Sequence, residues 1–196
     1  QNVNTESALH HGQKYEDLSI MYYEQKYKTK VEDFGCIQHD KYSYIGASPD
    51  GINVDPSSPR YGRMLEIKNI VNREITGIPK EEYWIQMQVQ METCGLNECD
   101  FLETQFSEYE SEEEFLQDTS PELKGLLLYF MENGKPLYKY MPLELKTHEE
   151  MTNWENNIID DHSHLTWIKT IYWRLDKVSC VLVLRNKQWF KEALPY

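Results

Sequence analysis

Apolar and polar positions follow two different rhythms along this chain. Between residues 4 and 29, Leu9, Tyr15, Leu18 and Tyr22 approximate the apolar stripe of a helix, and charged residues can occupy its other face. Further along, short segments alternate apolar and polar residues at every second position, as the side chains of a half-buried strand do. The pattern therefore predicts an opening helix followed by short strands and further helices.

Turn and capping residues divide the rest of the chain into elements. Gly95 supplies a helix C-terminus, and Thr147 with Glu150 supplies the capping box of another helix. The predicted strands cover residues 30–40, 42–48, 64–70, 99–106, 125–131, 136–143 and 179–185. The later predicted helices cover residues 83–95, 147–175 and 187–194. No repeat or Gly/Ser linker interrupts this order, so we expect one α/β domain.

Composition limits the class of protein. The chain has 196 residues, 40% of them hydrophobic, which suits one domain with a real core. Its net charge of −13 argues against coating nucleic acid by bulk attraction, but it allows an enzyme that meets phosphates through a bound metal. No apolar run reaches the length of a membrane span. Because the first residue is Gln rather than Met, we expect a segment upstream to be missing.

The four cysteines give no sign of a metal cluster. Cys36, Cys94, Cys99 and Cys180 form no CxxC pair, whereas zinc and iron–sulfur sites use tighter spacing. This usage favours reduced, mostly buried thiols in an intracellular protein.

Residues 44–69 contain a more informative group of charges. Asp50 lies in the turn sequence SPDG, and Glu66 and Lys68 point to the same face of the predicted strand. If the preceding strand pairs antiparallel with this one, Asp50 at its end approaches Glu66. A divalent cation such as Mg²⁺ relieves the repulsion of two carboxylates, and a nearby lysine can hold or activate an attacking water.

This trio is consistent with phosphodiester hydrolysis, but an ordinary turn followed by a same-face ion pair also explains it. Taken alone, the three residues favour that second interpretation. The segments on either side decide between the two.

Four short segments follow one another in a telling order: HGQKYE (11–16), IGASPDG (45–51), LEIKN (65–69) and YWIQMQVQM (83–91). Together they resemble the lambda-exonuclease or YqaJ-type viral recombinase family of the PD-(D/E)xK nucleases, most of all the versions from large eukaryotic DNA viruses. The resemblance implies an α/β fold with a restriction-endonuclease-like core, in which helices flank a central mixed β-sheet. It also implies a single nuclease domain over residues 1–196, with a catalytic core at about 10–106 and an extension at 107–196.

The resemblance assigns roles to named residues. Asp50 and Glu66 are expected to ligate Mg²⁺, for which Mn²⁺ can substitute, together with the backbone carbonyl of Ile67. Lys68 is expected to position or activate the water. Glu16 is expected to aid the metal directly or through water, and Gln86 to reach toward the site.

The activity implied is that of a metal-dependent deoxyribonuclease, an exonuclease that degrades linear double-stranded DNA 5′→3′ in viral recombination, replication or repair. The implied partners are duplex DNA with a free end, further copies in a ring-shaped trimer and a single-strand annealing protein, but no membrane. The expected location is the host cytoplasm or nucleus at sites of viral DNA replication. Two alternatives stay open: an endonuclease or RNase of the herpesvirus alkaline nuclease type, and a catalytically silent nucleic-acid-binding module.

Several further side chains are candidates for contacts with nucleic acid. Cations that could meet phosphates are Lys14, Arg63, Arg73 and Lys80, although each by itself is more typical of plain surface charge. Tyr83 and Gln88 could support the substrate or the geometry of the site. His10 and His11 are adjacent in the predicted helix and so face different ways, which favours surface positions over metal ligation. His162 and His164 lack a further ligand, which favours a solvated helix.

Overall fold

The computed structural model describes residues 4–5 and 7–194. In that part of the chain the helices are α1 (Ala8–Tyr27), α2 (Glu81–Cys94), α3 (Glu112–Gln117), α4 (His148–Asp161) and α5 (Lys187–Ala193). The strands are β1 (Val31–Glu32), β2 (Ile37–Gln38), β3 (Gly46–Ala47), β4 (Gly51–Asn53), β5 (Met64–Asn69), β6 (Glu98–Glu108), β7 (Lys124–Glu132), β8 (Lys135–Tyr140) and β9 (Thr166–Leu184).

Most predicted elements are confirmed close to their expected bounds, and so are the residues that delimit them. Gly95 adopts a φ of 66° at the C-terminus of α2. Thr147 and Glu150 form a complete capping box at the start of α4. Such caps depend on residues within one turn of each other, so they follow directly from local sequence.

The helix predicted over residues 147–175 is wrong in its second half. α4 ends at Asp161, and residues 166–184 form the 19-residue strand β9. β9 pairs antiparallel with β7, where Leu127 lies opposite Ile171. The segment TWIKTIYW is rich in β-branched and aromatic side chains, which pack better on a pleated sheet than on a helix.

The strands predicted before the candidate site are shorter than expected. The segments 30–40 and 42–48 contribute only β1, β2 and β3, while the unpredicted strand β4 begins at Gly51. Asp50 therefore precedes a strand, whereas we expected it to end one. β4 forms because its backbone pairs with β1 on one side and with β5 on the other. Both partners lie apart from it in sequence, so the local pattern did not predict it.

Seven strands form one sheet in the order β1-β4-β5-β6-β9-β7-β8, and β2 pairs separately with β3. The sheet is mixed and is flanked by helices, which confirms the predicted fold class. Within it, β4 and β5 are antiparallel neighbours, so the segments that carry Asp50 and Glu66 are brought together by main-chain pairing.

The chain divides into two compact units. The first comprises Gln1–Met21, Asn69–Val71 and Thr104–Lys177, and the second comprises Tyr22–Lys68, Asn72–Glu103 and Val178–Tyr196. The first unit has a core cluster of buried residues formed by Phe115, Leu126, Met141 and Met151. The second has a core cluster formed by Met64, Met87, Met91, Cys99, Phe101 and Val183. The single nuclease domain stays a prediction.

All four cysteines are free thiols: Cys36 is exposed, Cys94 and Cys180 are half-buried, and Cys99 is buried. Among the residues that the structure describes, no helix combines the length and the apolar character needed to cross a membrane.

Candidate active site

Asp50 lies where strands β4 and β5 run side by side in the second unit. The pair is antiparallel, with Gly51 opposite Leu65. Continuing this register by one residue places Asp50 beside Glu66. The Asp50 carboxylate also accepts a hydrogen bond of 2.6 Å from the backbone N–H of Ile67. Main-chain pairing thus makes neighbours of the two predicted carboxylates.

Gly51 lets strand β1 approach this pair closely. β1 pairs with β4, and Val31 lies opposite Asn53. A Cβ atom on Gly51 would lie 2.1 Å from Cγ1 of Val31, which is far inside van der Waals contact. The sequence pattern explains the glycine of SPDG by turn chemistry, whereas the structure requires it for strand packing.

Glu66 is a buried carboxylate with an incomplete set of partners. It is 2% exposed, and its Oε1 accepts a hydrogen bond of 3.1 Å from Nζ of Lys68. Its Oε2 is buried and has no hydrogen-bond partner among the described residues. Burial, and then the charge of Asp50, raise the pKa of Glu66 to about 7, while Lys68 acts in the opposite direction. This carboxylate therefore needs more positive charge than Lys68 provides.

The available ligands fit a hard divalent cation. Mg²⁺ prefers oxygen ligands and is commonly bound by one or two carboxylates together with water. Asp50 and Glu66 are two such carboxylates, and the unpartnered Oε2 of Glu66 is a buried acceptor. In the described chain, no group of three or more His, Cys, Asp or Glu side chains is arranged to hold a metal ion. The role of the Ile67 carbonyl stays a prediction.

Lys68 is held between a carboxylate, an amide and an aromatic ring. Besides its contact with Glu66, its Nζ lies 3.5 Å from Oε1 of Gln86 and 4.6 Å from the centre of the Tyr83 ring. Its side chain is 24% exposed, so the ammonium group is restrained but reachable from solvent. The structure therefore brings the predicted residues Lys68 and Gln86 together with the carboxylate pair.

Gln90 is a site residue that the sequence did not single out. It is buried, its Oε1 has no hydrogen-bond partner in the described chain, and its amide opposes the rise in the pKa of Glu66. Gln90 lies one helical turn after Gln86, so both face the same side of α2. The four-residue spacing between Gln86 and Gln90 is therefore the sequence feature from which Gln90 could have been predicted as a site residue.

Arg73 and Lys80 lie around the same aromatic ring as Lys68. The guanidinium carbon of Arg73 is 5.7 Å, and Nζ of Lys80 is 5.8 Å, from the centre of the Tyr83 ring. Arg73 also forms an ion pair of 2.6 Å with the buried Glu103, whereas Lys80 is exposed. The contacts predicted between nucleic acid and Arg73, Lys80 and Tyr83 stay predictions.

The Arg63 guanidinium is already engaged in ion pairs with two carboxylates. Its Nη2 lies 2.9 Å from Glu98 and its Nη1 3.2 Å from the buried Asp100, which also pairs with Arg60. Tyr23 donates to Asp100 as well, over 2.6 Å. These contacts hold the proline-containing loop before β5 against β6, so the predicted phosphate contact of Arg63 would compete with two carboxylates.

Two other residues predicted to contact nucleic acid are buried in the structure. Gln88 is fully buried, its amide donates to the carbonyl of Leu184 and its oxygen accepts from the N–H of Asn186. Both polar ends of Gln88 are thereby used. Lys14, in the first unit, is 9% exposed and forms an ion pair of 2.6 Å with Glu108. The contacts predicted between these two side chains, Gln88 and Lys14, and nucleic acid stay predictions.

Glu16 lies on α1 in the first unit and is half-buried, and its role near the metal stays a prediction. His10 also departs from its expected surface position, since it is 5% exposed and its Nε2 is hydrogen-bonded to the hydroxyl of Tyr138. His162 ends α4, where its Nδ1 lies 2.8 Å from the carbonyl of Ile158.

Fold and site together define an α/β protein in which paired carboxylates and a lysine lie on neighbouring strands. Residues 1–97 match the YqaJ-like viral recombinase domain. The chain is also 32% identical over 229 aligned residues to the uncharacterized protein R354 of Acanthamoeba polyphaga mimivirus. Residues 1–97, close to half of the chain, are therefore similar to the YqaJ-like viral recombinase domain. The alignment covers 95% of this chain but only 41% of the mimivirus protein.

Two solved structures are similar at lower levels of identity. One is an alkaline exonuclease, LHK-Exo, from Laribacter hongkongensis, with a TM-score of 0.44 and 22% identity over 84% of this chain and 70% of that one. The other is LHK-Exo in complex with dAMP, with a TM-score of 0.43 and 20% identity over the same shares of the two chains.

Proposed function

We propose that this chain is a metal-dependent nuclease that hydrolyses phosphodiester bonds. The observation that carries the proposal is the buried Glu66 carboxylate, which lies beside Asp50, has one unpartnered oxygen and contacts Lys68 at 3.1 Å. An ordinary same-face ion pair would not need a second carboxylate next to a buried one. The similarity of residues 1–97 to the YqaJ-like viral recombinase domain supports the same class of activity.

Asp50 and Glu66 would hold Mg²⁺ or Mn²⁺, with the carbonyl of Ile67 as a further ligand. Bound there, the cation supplies a lowered pKa for water and polarisation of the phosphate. The N–H of Ile67 fixes the Asp50 carboxylate in advance, so less conformational freedom is lost on binding. Burial of Glu66 excludes water from one side of the carboxylate pair.

Lys68 holds the attacking water and offsets the negative charge that develops on the phosphate. Gln86 and the ring of Tyr83 restrain its ammonium group, at 3.5 Å and 4.6 Å. Because Lys68 is partly shielded from water, its charge acts more strongly on a nearby phosphate than it would in bulk solvent. In this proposal the rate of hydrolysis therefore depends on Lys68 as well as on the carboxylate pair.

The substrate we propose is linear double-stranded DNA with a free end, degraded 5′→3′ during viral recombination, replication or repair. Residues 1–196 act as one nuclease domain in this proposal. Assembly into a ring of several copies and association with an annealing protein belong to the same proposal.

The proposal is tested with end-labelled linear duplex DNA and Mg²⁺. We expect cleavage by the wild-type chain and a loss of at least about 100-fold in the Asp50→Asn and Lys68→Met variants, since the first removes a charge that holds the cation and the second removes a cation beside the reacting phosphate. Glu132→Gln, an exposed site on β7, is the matched control and should cleave normally. Undiminished cleavage by Asp50→Asn or Lys68→Met would contradict the site assignment.

Closed circular DNA and RNA distinguish the substrate classes. An exonuclease requires an end, so closed circles should survive under conditions in which the linear form is degraded. Cleavage of circles at a similar rate would indicate an endonuclease, and cleavage of RNA would indicate the broader activity of the alkaline nuclease type.

A further inference from the structure

The first unit contains a cavity of about 420 Å³ that the proposed nuclease mechanism does not use. This volume lies within the range of roughly 300–1,000 Å³ that is typical of small-molecule sites. Its wall includes the first turns of α1, the end of β6 and side chains of β7, β8 and β9. Side chains that decide its chemistry are Lys14, His11, Lys169, Glu108, Tyr129 and Tyr138.

Lys14 is a buried ammonium group with too few acceptors. It is 9% exposed, and of its three N–H donors one is directed to Oε1 of Glu108 at 2.6 Å. The rings of Tyr15 and Tyr138 lie 5.4 Å and 6.0 Å from its Nζ, but within the described chain no second oxygen accepts from it. An ammonium group removed from water needs further oxygen atoms, which a ligand in the cavity can supply.

His11, which also lines the cavity, has a ring nitrogen without a hydrogen-bond partner in the described chain. Its Nε2 is buried and lacks a hydrogen-bond partner among the residues described. Burial, and then the charge of Lys14, lower the pKa of His11, so the ring is a neutral donor or acceptor near neutral pH. A ligand oxygen or hydroxyl near Lys14 would satisfy both groups.

The charge of the lining favours an anion. Glu108 is already neutralised on one oxygen by Lys14 and by the hydroxyl of Tyr15 at 2.8 Å. Lys169 is exposed on β9, lines the same cavity and helps to lower the pKa of Glu108. Among the described residues of the lining, two lysines and one glutamate carry a formal charge of +1, in a chain whose net charge is −13.

The rest of the lining suits a planar ring and a sugar. Tyr129 and Tyr138 lie on neighbouring strands with their ring centres 5.3 Å apart, and both line the cavity. Val71 and Ile171 add apolar surface to the wall. Aromatic faces bind nucleobases through stacking, whereas clustered cations bind phosphate.

We infer that this cavity binds a nucleoside monophosphate, with the phosphate held by Lys14, Lys169 and His11 and the base packed against Tyr129 and Tyr138. The inference concerns a binding site apart from the Asp50–Glu66 pair, and it holds whether or not the chain cuts DNA.

Isothermal titration calorimetry of the full chain in EDTA tests this inference, with thymidine 5′-monophosphate, thymidine and inorganic phosphate as the three probes. Without divalent metal, the carboxylate pair offers no positive charge to a phosphate. We expect the monophosphate to bind about tenfold more tightly than either other probe, since only it uses both parts of the cavity. Equal binding of inorganic phosphate or of thymidine would overturn the nucleotide assignment, and so would a lack of binding by the monophosphate.

Variants locate the bound nucleotide. Lys169→Met, an exposed position that the fold tolerates, should weaken binding of the monophosphate about fivefold through loss of one charge-assisted contact. Lys177→Met is the matched control on the same strand outside the cavity and should bind as wild type does. Glu66→Gln should also leave binding unchanged. Equal affinities of the Lys169→Met and Lys177→Met variants, or loss of binding in Glu66→Gln, would place the nucleotide elsewhere and overturn the inference.

Discussion

At the scale of single residues, Glu66 in the second unit is a carboxylate whose surroundings oppose its ionisation. Glu66 is 2% exposed, has Asp50 as a neighbour and leaves one oxygen without a hydrogen bond in the described chain. Its pKa rises to about 7 because burial and the adjacent negative charge both oppose ionisation. A protein retains such a residue at the expense of stability when a bound cation restores the balance.

Added Mg²⁺ should therefore stabilise the fold. At free Mg²⁺ about ten times its dissociation constant, we expect Tm to rise by roughly 3–5 °C, because a ligand that binds only the folded state shifts the unfolding equilibrium. Differential scanning fluorimetry measures this shift. Glu66→Gln should lose the response and Glu132→Gln should keep it. An equal shift in both variants would show that the ion binds elsewhere.

Glu108 provides a pH-dependent contribution in the first unit. Burial tends to raise its pKa, but the hydrogen bond and charge of Lys14 outweigh burial, so the pKa lies below its usual 4.5. A lowered folded-state pKa stabilises the protein above pH 4.5, and the contribution is lost as pH falls through the folded value.

Glu108→Gln should consequently destabilise the chain at pH 7, where it leaves the buried Lys14 without its carboxylate. Urea unfolding at pH 7 and at about pH 3 compares the two proteins. The difference in unfolding free energy should shrink at the lower pH, because Glu108 becomes protonated in the wild type as well. A difference that stays constant with pH would contradict this account of the ion pair.

At the scale of elements, short strands determine where the carboxylates lie. β4 has three residues and no strong local pattern, yet it pairs with β1 on one side and β5 on the other. These pairings bring Asp50 beside Glu66 across a loop that Arg60 and Arg63 anchor on Asp100. The site thus depends on the position of β1, which contributes no predicted ligand.

Gly51→Ala should disturb this arrangement without altering any charged residue. Its Cβ would lie 2.1 Å from Cγ1 of Val31, so either the Val31 side chain must rotate or β1 and β4 must separate. We expect a loss of roughly 1–3 kcal/mol in unfolding free energy, together with reduced nuclease activity. Adding Val31→Ala to this variant removes the clashing atom and should restore part of both. A double variant no better than Gly51→Ala alone would rule out the clash as the cause.

At the scale of the whole molecule, positive charge is outnumbered by negative charge, and the arginines are all held in ion pairs. The net charge is −13, and Arg60, Arg63, Arg73, Arg174 and Arg185 all form ion pairs with carboxylates. The exposed Lys80 and the reachable Lys68 lie near the carboxylate pair. Attraction of a polyanion therefore depends on local charge and on a divalent cation, not on the net field.

DNA binding should accordingly depend on a divalent ion even when no cleavage occurs. Fluorescence anisotropy of a labelled duplex in EDTA should show weak binding, and Ca²⁺ should tighten it at least about tenfold by neutralising the carboxylate pair. NaCl at the same ionic strength is the control and should weaken binding. Tight binding in EDTA would show that the protein holds DNA through a surface independent of the pair.

The sequence by itself determined the features that depend on nearby residues. The period of α1, the αL glycine after α2, the capping box of α4 and the shared face of Glu66 and Lys68 each involve positions within a few residues of one another. The order of the four short motifs also indicated the family before any fold was known. Such local geometry follows from backbone and side-chain chemistry alone.

Only the tertiary structure decided what depends on contacts between distant segments. In the structure, the second half of a predicted helix is part of strand β9, and Gln88 and Lys14 are buried. Arg63 forms an ion pair with Asp100, and Gln90 lies at the carboxylate site. Polarity and spacing do not specify these outcomes, because burial and pairing are set by whichever segments the sheet brings alongside. A charged residue on a local pattern is therefore only a candidate until its neighbours in space are known.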